Sequence, residues 1–512
     1  MLFSNWFGRK KYRSVPDLIN QPTGDSISAS LAQNITYLHS QFSQTPDLVV
    51  RHFMIKQSGE QAALVYLVGL IDKSSINNNV LRPLQFETGS GDSDYGFTIN
   101  VGQINPLLSW PQVESAILHG SSILFVGGRT EVYALGTQGW PQRAIEDPQI
   151  EASLKGAHQG FVETGSQNIA LIRRYIQNRE LKIKELIVGR RGNSLVSILY
   201  LADVANPEIL KELEDRIQQL DLDVILNTGE LAEMIEDNPY SLFPQFITTE
   251  RPDAAASQIL QGRFAVVVDR SPSVLIAPVS FISFFQNIDD YSTRWSIATF
   301  IRLLRVLAFF VAIFLPAFYI AVISFNFEII PVKLLLTIGE FRGRVPFPPF
   351  VEAILMEVTL EMMREAGVRL PAPVGQTVGI VGGIVIGQAI VQAGLISNIM
   401  VIVVAFTAIA SFILPNYDMV AAVRLIRFGM MIAASMFGIV GIIIGLMTMI
   451  GHLIALESLG TPYGTPFAPV RFADWKDTFI RLPLWIMNKR PLGARATQSK
   501  RQGTNRPKGD GK

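Results

Sequence analysis

Hydrophobic and polar positions fall into two regimes along this chain. Up to about Arg294, charged residues recur every few positions between short apolar runs; beyond Leu307 charges thin out and Gly, Ile, Val, Met and Phe dominate. In the first regime Leu31, Ile35, Leu38 and Phe42 recur at helical spacing, and Ala63–Ile71 and Ser122–Val126 are apolar runs of strand length. The Gly- and Asp-rich stretch 88–96 predicts a loop, in which Asp92 and Asp94 read as a solvated turn rather than a cation site. Ala144–Pro148 reads as a boundary. After it, Leu181–Val188 and Ser194–Leu201 predict paired strands joined through a Gly189–Gly192 turn. Pro207–Leu220 predicts a helix with Ile209, Leu210, Leu213, Ile217 and Leu220 on one side. Phe264–Asp269 and Val274–Ile276 predict a hairpin around Ser271-Pro272.

The second regime is long enough to meet a membrane. Val306–Phe325 is 20 residues without a charge, matched to a hydrocarbon core of about 30 Å, and Pro316 within it predicts a kink. Val374–Leu414 is 41 apolar or uncharged residues. As one helix it would run roughly 60 Å, twice what a bilayer needs, so it must fold back near 393–398. Phe428–Leu456 is the last apolar run. The predicted fold is a soluble N-terminal α/β (α+β) region of two subdomains followed by an α-helical transmembrane bundle. The divisions expected are a mobile tail 1–26, subdomains 27–143 and 144–290, a transmembrane domain 291–488 and a basic disordered tail 489–512. Four spans are expected near 306–325, 374–394, 396–414 and 428–450.

Charge sets the orientation. Arg294, Arg302 and Arg305 flank the first span, and Arg471–Lys512 carries eleven Lys or Arg against three Asp. The positive-inside rule then places both termini in the cytoplasm and requires an even number of crossings. This leaves the Arg424, Arg427 loop outside, against the rule. Over the whole chain 44 basic residues balance 43 acidic ones, which gives no reason to expect a nucleic-acid partner. Cysteine is absent, which excludes disulfides and thiolate chemistry. Met1–Lys11 lacks the apolar run of a signal peptide, so export of the first domain is not expected.

Three patterns in the apolar half carry candidate function. Gly375, Gly379, Gly383 and Gly387 repeat at i+4, the spacing of a close helix–helix seam, within the chain or between copies. Thr377, Ile384, Gln388 and Gln392 form a polar stripe on the same segment that either lines an aqueous path or ties helices together. Glu357, Glu361 and Glu365 stack at i+4 on an amphipathic helix at 350–365, which lies at the membrane interface or forms an acidic vestibule that gathers cations. The five histidines are scattered, and no P-loop, Rossmann fingerprint, HExxH or GxSxG is present. No enzyme, metal or cofactor is expected. A secondary transporter would show matched inverted repeats, which spans of such unlike composition do not.

Ordered motifs add a family. They include Asp47–Phe53 (DLVVRHF), Glu146–Glu151 (EDPQIE), Gly160–Glu163 (GFVE), Asn168–Arg174 (NIALIRR), Thr249–Asp253 (TERPD) and Asp289–Tyr291 (DDY). They continue with Ile301–Arg305 (IRLLR), Pro346–Glu352 (PFPPFVE), Arg364–Pro371 (REAGVRLP), Gly387–Ser397 (GQAIVQAGLIS) and Arg424–Phe428 (RLIRF). In this order they resemble the A subunit of the GerA-type spore germinant receptors of endospore-forming bacteria, over about Ile27–Asn488. Two positions depart from the family pattern: His158-Gln159 where a basic residue is common, and Asp269-Arg270 where Asp-Gly is common. The resemblance implies a multi-pass protein of the spore inner membrane. It implies homo-oligomerisation into a nutrient-gated cation channel, in contact with membrane lipid and acting with a transporter-like B subunit and a lipoprotein C subunit. A companion channel subunit of the same family, or a non-conducting scaffold or sensor, are the alternatives.

Overall fold

The computed structural model describes residues 26–87, 95–139, 155–371 and 387–503, with Pro148, Glu151, Val374, Gly375, Gly383 and Asn505. It divides into two compact units, Met1–Trp140 and Pro141–Lys512.

The first unit is built on five antiparallel strands: β1 (Leu48–Met54), β2 (Gln61–Leu67), β3 (Ile104–Leu107), β4 (Ser122–Val126) and β5 (Val132–Leu135), in the order β1-β2-β4-β5-β3. Central strands β2 and β4 read as unbroken apolar runs because both their faces are covered. Leu64 and Leu124 pack against Ile76, Val80 and Leu84. On the other face Trp110, at the start of α2 (Trp110–Leu118), meets Phe125, and Tyr37 of α1 (Leu31–Gln41) meets Trp110.

The second unit carries β6 (Leu181–Val188), β7 (Ser194–Leu201), β8 (Ile247–Thr249), β9 (Phe264–Val268) and β10 (Val274–Ala277), in the order β6-β7-β9-β10-β8. This is the topology of the first sheet repeated. Gly189 turns the β6–β7 hairpin at φ +97° against the Asp223 carbonyl, a conformation and a closeness that only glycine accepts. One face is covered by α4 (Pro207–Gln218) and α5 (Thr228–Ile235), whose Ile209, Leu213, Ile217 and Leu231 pack on Val196, Ile198 and Val266. Asn206 and Asn227 cap the two helices by accepting from Glu208 and Glu230 amides. The opposite face holds α3 (Gly165–Tyr175) and α6 (Pro252–Leu260). Its core of Ile172, Ile259 and Val267 continues without a break into Phe309, Ala312, Met431 and Ala434. Sheet and helices are therefore one packed body, where the expected boundary at 290/291 would separate them.

The helical part comprises α7 (Trp295–Ser324), α8 (Val332–Arg342), α9 (Pro349–Arg369), α10 (Gly387–Gln392), α11 (Asn398–Ile413) and α12 (Tyr417–Ala455). Among the described residues, α7 and α12 are the two helices long and apolar enough to cross a membrane, and α11 is a shorter apolar helix. Residues 376–382 and 384–386 of the expected span 374–394 lie outside the described residues. Helix α7 continues through Pro316.

The decisive turn is in α12. Gly438 has φ 60° and ψ −139°, far outside the helical region. Beyond it the chain folds back on itself. A side chain at Gly441 would run into the Ala433 carbonyl, and one at Gly445 into Met430. In a straight helix those partners would be about 12 and 22 Å away. So α12 is a hairpin whose arms, 417–437 and 439–455, are about 31 and 25 Å long, each close to a hydrocarbon thickness. The tip at Gly438 abuts Phe325 at the end of α7. Gly438→Ala forces a positive φ on a residue with a Cβ 3.0 Å from Phe325. The expected loss is about 2 kcal/mol in detergent-solubilised unfolding.

Two further expectations change. Helix α9 is longer than 350–365 and does not lie across the bundle end. Its Glu352 accepts from Ser397 N–H just before α11, and Arg364 sits over Phe412 near the end of α11, so the two helices run side by side in one direction. The C-terminal segment from 489 is not a free tail as far as it is described. Thr497 N–H donates to Val204 O at 2.8 Å, Gln498 reaches Asp203, and Arg490 Nε donates to Leu260 O at 2.9 Å.

Candidate functional site at the sheet–helix junction

The second sheet meets the helices through a layer of buried ions. The 3₁₀ turn Ile288–Tyr291 carries Asp290, whose Oδ2 accepts from Arg302 Nε at 2.8 Å and Arg305 Nη1 at 2.9 Å. These arginines sit one turn apart on α7, so both aim at the same carboxylate. Arg302 also donates to Asp477 Oδ1 at 2.6 Å, and the Tyr291 hydroxyl donates to Asp477 Oδ2 at 2.6 Å. The Arg302 and Arg481 guanidinium groups lie over the Tyr291 ring at 5.5 and 5.4 Å. Burial, and then the neighbouring Asp477 charge, push the Tyr291 hydroxyl above its ordinary range, so it stays a donor. Arg302 is 1% exposed and Asp290 3%. The arginines read from the sequence as charges flanking a span are instead the interior of a joint between soluble fold, first long helix and the segment after the last one.

Beside this joint lies a cavity of about 300 Å³ lined by Glu151, Thr249, Arg251, Gln258, Tyr291 and Asn416 among others. Arg251 holds Asp253 through two nitrogens, at 3.1 and 2.7 Å, and Asp289 at 3.2 Å. Glu151 accepts from the Thr249 hydroxyl at 2.6 Å, and burial raises its carboxyl above the usual carboxylate range. Asn416 caps α12 by accepting from Met419 N–H. The far end of α12 also returns to the sheet unit. His452 Nε2 lies 2.8 Å from Ser241 Oγ with its ring on Phe243, Ser458 Oγ donates to Gln245 O, and the Tyr463 hydroxyl donates to Pro244 O.

Deeper in the bundle the acidic stripe is neutralised. Glu357 pairs with Arg427 at 2.8 Å, both side chains 1% exposed. Glu361 pairs with Arg364 and Arg424 at 2.8 and 2.9 Å, and Glu365 with Arg369 at 2.5 Å. Glu357 and Glu361 are therefore not free vestibule carboxylates: they clamp α9 to the first arm of α12, while Glu365 stays exposed and paired within α9. The same clamp draws Arg424 and Arg427, expected in an outside loop, into the helix pair. Glu352 adds a second tie, to Arg342 at 3.2 Å and to Ser397 N–H at 2.9 Å.

The predicted seam and polar stripe are less engaged. Gly379, Thr377 and Ile384 lie outside the described residues. Gly375 approaches the Gly367 carbonyl, whereas Gly383 and Gly387 meet no atom of the described residues within 4 Å of an added Cβ. Gln388 and Gln392 are exposed. Among the described residues, a close glycine seam is formed by Gly438, Gly441 and Gly445, whose i+3, i+4 spacing is visible in the sequence. The Asp269-Arg270 departure has a visible consequence: Arg270 takes φ +70°, donating its N–H to Glu163 O at 2.7 Å. Arg270→Gly is expected to stabilise the chain by about 1 kcal/mol in a thermal melt by removing that left-handed strain.

No three His, Asp or Glu among the described residues converge as a metal site. The junction and the cavity beside it are built from pieces that lie far apart in the chain but belong to one ordered motif set: Glu151, the last residue of EDPQIE, meets TERPD, DDY and IRLLR there. The Bacillus/Clostridium GerA spore germination protein family matches residues 36–492. The chain belongs to the GerA family. Spore germination protein KA of Bacillus subtilis (strain 168) is 41% identical over 93% of this chain and 89% of its own length. The uncharacterized membrane protein YfkQ of the same organism is 36% identical over 91% of each. Among solved structures, the N-terminal domain of the A subunit of the Bacillus megaterium spore germinant receptor GerK3 is 28% identical, covering 51% of this chain and 99% of that one, with a TM-score of 0.39. The GerA motifs thus mark two kinds of contact in this chain, the sheet–helix junction and the ion pairs that clamp α9.

Proposed function

We propose that this GerA-family chain is the membrane-embedded A subunit of a spore germinant receptor, acting by assembly and ion passage rather than by catalysis. Its partners are further copies of itself, a transporter-like B subunit and a lipoprotein C subunit. The observation that carries the reading is the junction: α7 leaves the sheet at Asp290–Arg302, and the α12 hairpin begins and ends against the same unit. A shift in the soluble fold is thereby delivered to both long apolar segments at once. Large side chains such as Phe310, Phe318, Ile402, Phe406, Ile443 and Met447 are exposed around the helices, as a lipid-facing surface requires. Entry and exit on one side support an even number of crossings, with both termini in the cytoplasm. Gly383 and Gly387, with no close neighbour among the described residues, suit contact with another copy.

The test is cation release from spores on nutrient addition. Gly383→Leu, with accumulation of the protein checked by immunoblot, is expected to abolish both crosslinked oligomers and potassium efflux. Intact oligomers and normal efflux would overturn the channel reading. A scaffold reading predicts unchanged efflux for Gln388→Leu with Gln392→Leu, whereas a conducting stripe predicts a loss of tenfold or more.

A further inference from the structure

The segment after α12 closes a second cavity that the junction does not use. Its volume is about 430 Å³, and Arg263, Lys476, Lys489, Arg490 and Arg501 line it against only two carboxylates, Asp474 and Asp477. Both carboxylates are committed elsewhere: Asp477 to Arg302 and Tyr291, and Asp474 to the Leu492 N–H at 3.1 Å. Among the cations, Arg490 donates to three neutral carbonyls, Leu260 O, Gln498 O and Lys500 O, at 2.9, 3.0 and 2.7 Å. Arg263 is 5% exposed, and its guanidinium reaches only neutral oxygens, Gln258 Oε1 at 2.6 Å and Ser283 Oγ at 3.1 Å. Its Nε is buried without a partner. Burial lowers the Arg263 pKa to about 10, a fall that the nearby Tyr291 and Asp477 groups, neither hydrogen-bonded to it, offset only in part. An anion entering this cavity, rimmed by four more cations, would give the buried guanidinium the charged partner that its two neutral acceptors do not supply.

The position narrows the anion. Asp477 and Thr478 of the cavity wall contact Arg302 in the second turn of α7, at the start of its apolar run. Beside the wall, Phe472, Trp475, Trp485 and Ile486 are exposed, a grouping typical of the membrane–water boundary. Forked guanidinium donors and lysines in this number match a phosphate rather than a single carboxylate.

We infer that this cavity, closed by residues 489–501, binds a phosphate-bearing anion: the headgroup of an anionic phospholipid or a free phosphate compound. The lipid source requires the membrane reading above; the soluble source does not.

The full chain is purified in detergent and examined by native mass spectrometry and thermal unfolding, with phosphatidylglycerol, phosphatidylcholine or inorganic phosphate added separately. The expected result is retention of phosphatidylglycerol at least tenfold over phosphatidylcholine, with a raised melting temperature. Lys489→Gln with Arg501→Gln, both at exposed positions, is expected to cut that retention at least fivefold while leaving the melt in phosphatidylcholine unchanged. Stabilisation by inorganic phosphate but not by phosphatidylglycerol, lost in the same double variant, supports the site with a soluble occupant. No response of the wild-type chain to either anion, or a double variant that responds as wild type does, overturns the proposal.

Discussion

Asp290→Asn is expected to destabilise the chain by about 3–5 kcal/mol and to uncouple germination from the nutrient even where protein accumulates. The substitution keeps the shape of the side chain and removes the one anion shared by Arg302 and Arg305. Arg302 keeps Asp477, but Arg305 is left with neutral acceptors, the Phe285 carbonyl and the amide oxygen of the new side chain, in a nearly dry site. Denaturant unfolding of the detergent-solubilised protein measures the first effect, and potassium efflux from spores the second. Arg294→Gln is the control. Arg294 belongs to the same basic flank in the sequence but is exposed, so its loss is expected to stay within about 0.5 kcal/mol. Equal effects from Asp290→Asn and Arg294→Gln would show that the buried joint is not what holds sheet and helices together.

Glu357→Gln is expected to cost a similar amount, about 3–5 kcal/mol, because it strands Arg427 in an apolar interior. Glu361, 3.9 Å from the second guanidinium nitrogen, offsets part of the loss. The double variant Glu357→Gln with Arg427→Met removes both charges and is expected to recover most of the stability, the pattern of a directly coupled pair. A carboxylate lining an aqueous vestibule would behave otherwise: the single change would leave unfolding alone and alter cation flux. Unfolding curves of the two variants, read beside efflux, separate these outcomes.

What could be read along the chain follows from how local each signal is. Strands β6 and β7 stand where the apolar runs on either side of Gly189–Gly192 put them, and α4 begins at the Asn206-Pro207 start signal. In both cases the pattern and its stop signals lie within a few residues of each other. The hairpin tip at Gly438 was not readable in this way. Phe428–Leu456 has the composition of a single apolar run, and only the backbone conformation of one glycine divides it. The acidic stripe failed for a different reason. Its i+4 spacing is local, as are the partners Arg364 and Arg369, but the two that tie it to another helix, Arg424 and Arg427, lie more than 60 residues further on.

By itself, the sequence determined that an α/β region precedes apolar helices, which family the chain belongs to, and where most strands and soluble helices begin. Those properties reside in periodicity, charge density and the order of short motifs, all of which act along the chain. Tertiary structure alone decided that the sheet and helices form one body, that Arg302 and Arg305 are interior rather than water-facing, and that the C-terminal segment packs back to close a basic cavity. Each of these depends on which opposite charge, acceptor or small side chain arrives from a distant element. Burial turns such meetings into strong constraints, because a charge taken out of water must find its partner.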